Sequence, residues 1–252
     1  MIENEKNSLF GLLGRNISYS FSRGYFTDKF QKLHLENHSY INFDMQVCTE
    51  FPAIISSEKN LKGLNVTIPY KQEIIPFLDE LDETAKQIGA VNTIKITKNN
   101  TLKGYNSDVV GFEKSIKPLQ KNHHQKALIL GTGGASKAVA FVFQKNNISF
   151  QFVSRNPTSI NEISYESLSK EIMESHTIIV NCSPLGTSPN IERFPEIPYQ
   201  FLNQQHLLYD LIYNPEETLF LSKGKIQGAT IKNGLEMLQL QAEESWRIWN
   251  DL

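Results

Sequence analysis

Residues 126–156, "KALILGTGGASKAVAFVFQKNNISFQFVSRN", contain the pattern that decides the fold. An apolar strand over residues 126–130 runs into a glycine-rich turn, then into a helix and a second strand that ends at Arg155. In Rossmann-type folds the first glycine permits a tight turn, the second lets the backbone approach a pyrophosphate, and the helix N-terminus offers amide donors. We therefore predict a dinucleotide cradle, formed by Gly131, Thr132, Gly133, Gly134 and Ala135.

The glycine fingerprint is incomplete, because Ser136 stands at its third position. A glycine-rich turn alone is weak evidence for a nucleotide site. Its place after a strand and before a helix, with a second strand following, strengthens the prediction. The alternative is an ordinary tight turn between a strand and a helix.

The end of the second strand indicates which dinucleotide binds. An enzyme that uses NAD usually carries an acidic residue there, which holds the ribose 2′-hydroxyl. This chain has Ser154 and Arg155 instead, and a guanidinium can pair with the 2′-phosphate of NADP in a forked geometry. The hydroxyl of Ser154, Thr158 or Ser159 could add a donor. NADP is therefore favoured, and the alternative is a solvated surface arginine.

The regions before this stretch alternate between strand and helix patterns. The predicted strands are "SLFGLLG" (8–14), "YINFDMQVC" (40–48) and "LKGLNVTI" (61–68), and the predicted helices are "GYFTDKFQKLHL" (24–35), "QEIIPFLDELDETAKQIG" (72–89) and "DVVGFEKSIKPLQ" (108–120). Residues 91–106 read as a hairpin around an Asn-Asn turn. This alternation predicts an α/β fold with a largely parallel sheet, and the polar residues 121–125 precede a second unit.

Composition excludes several classes of function. The 252 residues include 25 basic and 27 acidic ones, so no excess positive charge is available to hold a nucleic acid. Cys48 and Cys182 are far apart, which argues against a disulfide framework or a zinc site and favours a reduced, cytoplasmic location. No apolar stretch approaches the ~20 residues of a membrane span. The histidines show no metal-ligand spacing, so no metal is expected, and His123 and His124 are expected in a solvated loop.

The stretch "GLNVTIPYKQ" (63–72) predicts a strand that turns sharply into a helix, because Pro69 suits the first turn of a helix. Lys71 would then lie in that first turn. The helix dipole there would lower the pKa of the lysine, and a nearby carboxylate would raise it again. Such a lysine is suited to proton transfer, and the alternative is an ordinary solvated lysine.

Several segments together resemble the shikimate dehydrogenase family along nearly the whole chain. They are "GRNISYSFSRGYF" (14–26), "GLNVTIPYK" (63–71), "GAVNT" (89–93), "GYNSDVVGF" (104–112), "GTGGAS" (131–136), "YDLIYNP" (209–215) and "NGLEMLQLQAEESW" (233–246). The resemblance implies two α/β domains with a cleft between them. The N-terminal substrate domain would take residues 1–107 with 235–252, and a Rossmann-type NADP-binding domain would take 108–234.

The resemblance also implies an activity: reversible, NADPH-dependent reduction of 3-dehydroshikimate to shikimate, by a monomer or homodimer. Lys71 and Asp108 fall on the family's catalytic pair. The positions that would hold the substrate are Ser20, Ser22, Asn65, Thr67, Asn92, Tyr213 and Gln241. The positions that would hold the cofactor are Gly131, Thr132, Gly133, Gly134, Ala135, Ser154, Arg155, Asn156, Thr158, Ser159, Leu211 and Gly234.

The first segment departs from the family pattern. The family often has a proline at Asn16, a histidine at Tyr19 and a proline at Arg23, so this loop is expected to be less rigid. An extended "SFS" would place Ser20 and Ser22 on one side of the chain, where both hydroxyls could reach one substrate carboxylate. The alternative is that these serines cap a helix that begins near residue 24.

Two rival functions share much of the pattern. A quinate/shikimate dehydrogenase would more often carry an acid after the second strand, and Arg155 argues against it. A non-catalytic NADP-sensing protein would keep "GTGGAS" and lose the catalytic pair, whereas this chain has both Lys71 and Asp108.

Overall fold

The computed structural model describes residues 7–18 and 20–252. The chain divides into two compact units, Met1–Ser107 with Ala242–Leu252, and Asp108–Gln241. Each unit is built on its own six-stranded sheet, and the predicted α/β class is confirmed. The division falls inside the last helix, between residues 241 and 242.

The first unit is a mixed sheet with helices packed against it. Its strands are β1 (Ser8–Gly14), β2 (His38–Asp44), β3 (Leu61–Val66), β4 (Glu80–Leu81), β5 (Thr93–Ile96) and β6 (Leu102–Tyr105), and its helices are α1 (Phe21–Lys32), α2 (Phe51–Ser57) and α3 (Glu83–Ile88). The strand order is β2-β1-β3-β5-β6-β4. β1 is parallel to β2 and β3, whereas β5 is antiparallel to β3 and β6, so the predicted hairpin is confirmed.

The core of the first unit lies on both faces of this sheet. Leu13, Leu64 and Ile94 are fully enclosed on one face, while the aromatic side chains of Phe26 and Trp249 pack on the other. Gly63 is required by this packing, because a Cβ atom there would lie 2.2 Å from the indole nitrogen of Trp249. The indole nitrogen donates to the Ile94 carbonyl at 3.0 Å, which fixes the C-terminal helix on the sheet.

The single helix predicted over residues 72–89 is wrong. Those residues form turns, a 3₁₀ helix (Ile75–Phe77), β4 and the short helix α3. Pro76 explains part of this, since proline lacks an N–H and disfavours helix for the residue before it. Asp82 then caps α3 by accepting from the Ala85 amide at 2.9 Å, and Gly89 ends it with φ 67°.

The predicted strand over residues 40–48 is also too long, since β2 ends at Asp44. Residues Cys48–Glu50 form a 3₁₀ helix. The carboxylate of Glu50 accepts from the amides of Gln46 and Val47 at 3.0 and 3.1 Å, and so turns the chain away from the sheet.

The second unit is a fully parallel sheet in the Rossmann order. Its strands are β7 (Lys126–Leu130), β8 (Ser149–Ser154), β9 (Glu162–Ser164), β10 (Ile178–Asn181), β11 (Leu207–Asp210) and β12 (Thr230–Lys232), and its helices are α4 (Asp108–Ile116), α5 (Gly134–Lys145), α6 (Lys170–Ser175), α7 (Leu219–Ile226) and α8 (Leu235–Trp249), which runs on into the first unit. The order β12-β11-β10-β7-β8-β9 reverses between β7 and β10. In such sheets ligands bind at the carboxyl ends of the strands beside that reversal.

Among the described residues, no helix is both long and apolar enough to cross a membrane.

Candidate functional site

The carboxyl edge of the second sheet brings the predicted cofactor residues together. Gly131 follows β7, Ser154 ends β8, Leu211 follows β11 and Gly234 follows β12. Because all these strands are parallel, their ends lie along one edge. The backbone amide of Gly131 donates to the Val153 carbonyl at 2.9 Å, which joins the first two of these ends.

The glycine-rich turn has the backbone that the cradle prediction requires. Gly131 has φ 107°, in the left-handed region that favours glycine. No heavy atom lies within 4 Å of a Cβ built on Gly133, so open space faces the backbone there. Gly134 begins the 12-residue helix α5, whose first amides point toward the turn. These features fit the pyrophosphate of a dinucleotide.

The serine at the third fingerprint position does not block this cradle. Ser136 is fully buried in the first turn of α5, and its hydroxyl donates to the Gly133 carbonyl at 2.7 Å. The side chain therefore turns back onto the loop and fixes its shape. Thr132 is exposed and Ala135 is half-buried.

Leu211 and Gly234 are in direct contact at the same edge. A Cβ on Gly234 would lie 2.1 Å from the Leu211 carbonyl oxygen, and the Gly234 amide donates to the Ile212 carbonyl at 3.0 Å. Only a residue without a side chain permits this approach.

The loop after β8 holds the residues predicted to select NADP. Arg155 is exposed and forms no ion pair with any residue that the structure describes. Asn156 is also exposed, and its amide donates to the Ser154 hydroxyl at 3.2 Å. The remaining two predicted donors, Thr158 and Ser159, are hydrogen-bonded to the carboxylate of Glu162, which sequence reasoning did not single out.

A second group that sequence reasoning missed lies between the ends of β10 and β11. The buried carboxylate of Asp210 accepts from Thr218, from the Ile212 amide and from Asn181, at 2.6, 3.0 and 3.0 Å. Burial raises the pKa of Asp210 to about 6, and these hydrogen bonds act in the opposite direction. The Asn181 oxygen accepts from both the amide and the hydroxyl of Ser183, so one polar cluster fixes both loops.

Tyr213 lies half-buried in the loop after β11, and Gln241 lies half-buried on α8. Cys182 lies beside the turn, because a Cβ on Gly131 would be 3.4 Å from its carbonyl carbon. Burial raises the pKa of the Cys182 thiol well above its usual range, which agrees with a packing role.

The first unit has its own polar edge. The residues that follow β1, β3 and β6 and those that precede β5 lie at the same end of the sheet, because β5 is antiparallel to β3 and β6. Thr67 follows β3 and Asn92 precedes β5, and the amide of Val66 donates to the Asn92 carbonyl at 2.8 Å. Sheet geometry thus gathers predicted substrate residues that are distant in sequence.

Ser20 stands at the N-cap position of α1, yet its side chain makes no capping hydrogen bond. Its hydroxyl oxygen is enclosed and has no hydrogen-bond partner among the described residues. A buried hydroxyl without a partner is costly and uncommon. The capping alternative is therefore not supported by the geometry of Ser20.

The extended "SFS" prediction is wrong, because α1 begins at Phe21 and Ser22 is already helical. The Ser22 hydroxyl lies near the phenol of Tyr40, whose own hydroxyl donates to Asn65 at 2.8 Å. Burial raises the pKa of Tyr40, and the Ser22 hydroxyl opposes that rise. The two serines therefore have different local partners, which the alternation argument did not anticipate.

Asn65 and Asn92 are held by buried hydroxyls. The Asn65 amide nitrogen donates to Ser245 at 2.8 Å, and its oxygen accepts from Tyr40 at 2.8 Å. The Asn92 oxygen accepts from the Ser107 amide, the Ser107 hydroxyl and the Thr93 hydroxyl at 2.7, 3.2 and 3.1 Å. Thr93, Ser107 and Ser245 are fully buried and mutually within hydrogen-bonding distance, and sequence reasoning missed all three.

Lys71 does not lie in the first turn of a helix, so the helix-dipole argument for it is wrong. Residues 68–74 form turns, and the Ile68–Pro69 peptide bond is cis. The Lys71 carbonyl accepts from the Val91 amide at 2.7 Å instead of continuing a helix. Lys71 is half-buried in the first unit. In the second unit Asp108 begins α4 and is 2% exposed.

The loop after β1 is held by polar contacts where the family often has prolines. Asn16 has φ 56°, and the carboxylate of Asp44 accepts from the amides of Asn16 and Ile17 at 2.9 and 3.3 Å. Asn42 adds a donor to the Ile17 carbonyl at 2.7 Å. Arg23 is exposed on α1, and Tyr19 lies outside the described residues.

No group of three or more potential metal ligands occurs among the described residues.

The predicted solvated loop at His123 and His124 is wrong for His124, which is 4% exposed. Both imidazoles lie 3.0 Å from the Gln205 carbonyl oxygen, which explains why the pair is anchored.

Comparison with known proteins agrees with this architecture. Residues 12–94 match the family model of the shikimate dehydrogenase substrate binding domain. The shikimate dehydrogenase (NADP(+)) of Desulforamulus reducens is 35% identical, over 98% of this chain and 91% of that protein.

Two crystal structures are similar over nearly the full length. Shikimate dehydrogenase 1 from Peptoclostridium difficile is 36% identical, covers 97% of this chain and 92% of its own, and superposes with a TM-score of 0.83. Shikimate 5-dehydrogenase from Thermus thermophilus, solved with NADP(H) and shikimate, is 27% identical with a TM-score of 0.85, covering 97% of this chain and 94% of its own. On this full-length similarity, the chain belongs to the shikimate dehydrogenase family.

Proposed function

We propose that this chain catalyses the reversible, NADPH-dependent reduction of 3-dehydroshikimate to shikimate, a step in the synthesis of chorismate and the aromatic amino acids. The observation that carries the proposal is a full-length relationship to NADP-dependent shikimate dehydrogenases in a chain whose second sheet ends in a glycine cradle. The exposed cation of Arg155, rather than an acid, after β8 supports NADP as the cofactor.

When bound, NADPH supplies a hydride for the 3-carbonyl of the substrate. The carbonyl oxygen then gains negative charge and requires a proton. We assign that proton to the Lys71 ammonium and propose the Asp108 carboxylate as its partner in acid–base catalysis. In the reverse direction the neutral lysine amine takes the proton from the 3-hydroxyl of shikimate. Both residue types are present at the family's positions.

The remaining polar residues would bind the substrate. Ser20 and Ser22, helped by Tyr213, are assigned to the carboxylate, and the enclosed hydroxyl of Ser20 supports that role. The ring hydroxyls are assigned to Asn65, Thr67, Asn92 and Gln241. Such a set of short neutral donors and acceptors suits a polyhydroxy acid.

The decisive experiment is the absorbance of NADPH formed from shikimate and NADP. We expect turnover with shikimate, weak or no turnover with quinate, and a loss of turnover in Lys71→Ala. Turnover with quinate at equal efficiency would favour the quinate/shikimate alternative. NADP binding without any turnover would favour a sensing protein.

A further inference from the structure

The loop between β8 and β9 is unusually short. These strands are parallel neighbours, with Phe152 opposite Glu162 and Val153 opposite Ile163, yet only residues 155–161 connect them. Connections between parallel neighbours usually need a dozen residues or more and contain a helix. The loop that carries the predicted NADP-selecting residues therefore has no helix of its own to hold it.

The carboxylate of Glu162 closes this loop. One carboxylate oxygen accepts from the Thr158 amide at 2.9 Å and from its hydroxyl at 3.5 Å, and the other accepts from the Ser159 hydroxyl at 3.2 Å. The Glu162 amide in turn donates to the Ser159 carbonyl at 3.1 Å. Three donors of a short loop thus converge on an anion that belongs to the chain itself.

These donors include two side chains assigned to the 2′-phosphate of NADP. A phosphate and a carboxylate both require such donors, and two anions brought to the same donors repel each other. Arg155 in the same loop is exposed and forms no ion pair among the described residues, so it does not neutralise Glu162.

We propose that Glu162 is a specificity-determining residue, whose carboxylate competes with the 2′-phosphate of NADP for Thr158 and Ser159 and so limits the preference for NADP over NAD. The proposal rests on the cofactor assignment made above. It predicts that Glu162→Gln, which removes the charge and keeps the size, strengthens binding only for ligands that carry the 2′-phosphate.

The test is isothermal calorimetry on the full chain with two probes, adenosine 2′,5′-bisphosphate and 5′-AMP, which differ only in the 2′-phosphate. Because Thr158 and Ser159 are exposed and Glu162 is half-buried, one charge is worth about 0.2–1 kcal/mol, so Glu162→Gln should tighten the bisphosphate by up to about fivefold. Binding of 5′-AMP should not change. In steady-state assays the NADP-to-NAD ratio of kcat/KM should rise by the same factor.

The matched control is Glu166→Gln, which removes an exposed carboxylate near the loop, whereas the loop donors bind Glu162. An equal gain in this control would overturn the proposal, because loss of any negative charge would then explain the effect. Weaker binding of both probes by Glu162→Gln would also overturn it and show that Glu162 maintains the shape of the loop.

A second background isolates the shared donors. In Thr158→Val with Ser159→Ala, adding Glu162→Gln should give a smaller gain, because only the Thr158 amide is left to share, whereas a full gain would contradict competition for the side-chain donors. If the unaltered protein binds the bisphosphate no more tightly than 5′-AMP, and Arg155→Ala changes nothing, the cofactor assignment itself fails. If that selectivity exists but Glu162→Gln leaves it unchanged, only the present inference fails.

Discussion

Replacing Ser20 by alanine should weaken shikimate binding without lowering the stability of the fold. The Ser20 hydroxyl is enclosed without a hydrogen-bond partner among the described residues. Burying an unpaired hydroxyl costs about 1–3 kcal/mol. Alanine removes that cost, so Ser20→Ala should leave the free energy of unfolding unchanged or raise it by about 1 kcal/mol. For a chain of this size the midpoint temperature would then rise by about 2–4 °C.

Substrate binding should change in the opposite sense. A neutral donor to a charged carboxylate contributes about 1.5–3 kcal/mol, so Ser20→Ala should raise the KM for shikimate by roughly ten- to a hundredfold. The kcat should change much less, because the carboxylate is remote from the reacting carbon and its binding is nearly uniform during the reaction. The KM for NADP should stay constant.

Ser22→Ala is the matched control. It too should raise the KM for shikimate, but its hydroxyl is not among the enclosed, unpaired polar atoms, so Ser22→Ala should not raise the free energy of unfolding. Initial rates at saturating NADP and calorimetric midpoints, measured on the same two variants, give both quantities. A lower midpoint for Ser20→Ala with an unchanged KM would contradict this prediction and show that Ser20 contributes to stability and not to substrate binding.

Four further predictions concern the pair, the cofactor and the fold. Lys71→Ala should lower kcat about 100-fold with little change in shikimate binding, and Asp108→Ala should act similarly. If the fold-loss in kcat of the double variant equals the product of the two single fold-losses, the two residues do not act as a unit. Arg155→Ala should abolish most of the preference for NADP, a loss of about 1.5–3 kcal/mol, and an unchanged NADP-to-NAD ratio of kcat/KM would contradict this. Gly234→Ala would place a Cβ 2.1 Å from the Leu211 carbonyl oxygen, so we expect a lower midpoint temperature in thermal unfolding and weaker NADP binding in calorimetry. The control is Gly133→Ala, whose Cβ would have no heavy atom within 4 Å and which should not lower the midpoint temperature. Burial lowers the pKa of His124 below its unfolded value of 6.5, so the folded state favours the neutral imidazole ring. The stability that this contributes is present above pH 6.5 and is lost as the pH falls below that value. In that pH range the midpoint temperature of His124→Gln should therefore depend less on pH than that of the unaltered protein.

The local parts of the fold could be predicted from sequence. The strand, glycine turn and helix of residues 126–145 depend on near neighbours, and the structure confirms β7 and α5 there. The hairpin of β5 and β6 was predicted for the same reason. In each case the hydrophobic period and the turn residues act within a few positions of each other.

The incorrect predictions have tertiary causes. Residues 72–89 do not form one helix, because Pro76 interrupts it and because the Lys71 carbonyl accepts a hydrogen bond from the Val91 amide, 20 positions later in the chain. The cluster of hydroxyls formed by Thr93, Ser107 and Ser245 could not be predicted, because none of the three residues lies in a recognisable sequence motif. Only the packing of α8 on the sheet brings them together. The hydrogen bonds of Glu162 could not be predicted either, because the short loop that places Thr158 beside it has no sequence signature.

The same hydroxyls determine what the two asparagines can offer a substrate. The Asn92 oxygen already accepts from three donors, so it has little capacity left to accept from a ligand. The Asn65 oxygen accepts from Tyr40, and its amide nitrogen donates to Ser245 at 2.8 Å. The other contacts of that nitrogen, to the Asn92 carbonyl and the Thr93 hydroxyl, are both 3.4 Å long, so one weakly held N–H is what Asn65 can offer. In the proposed function Asn65 would therefore meet the substrate as a donor, and the oxygen atom of a substrate hydroxyl group would accept. The sequence has amides at both positions, but the packing of the buried hydroxyls determines how each amide is oriented.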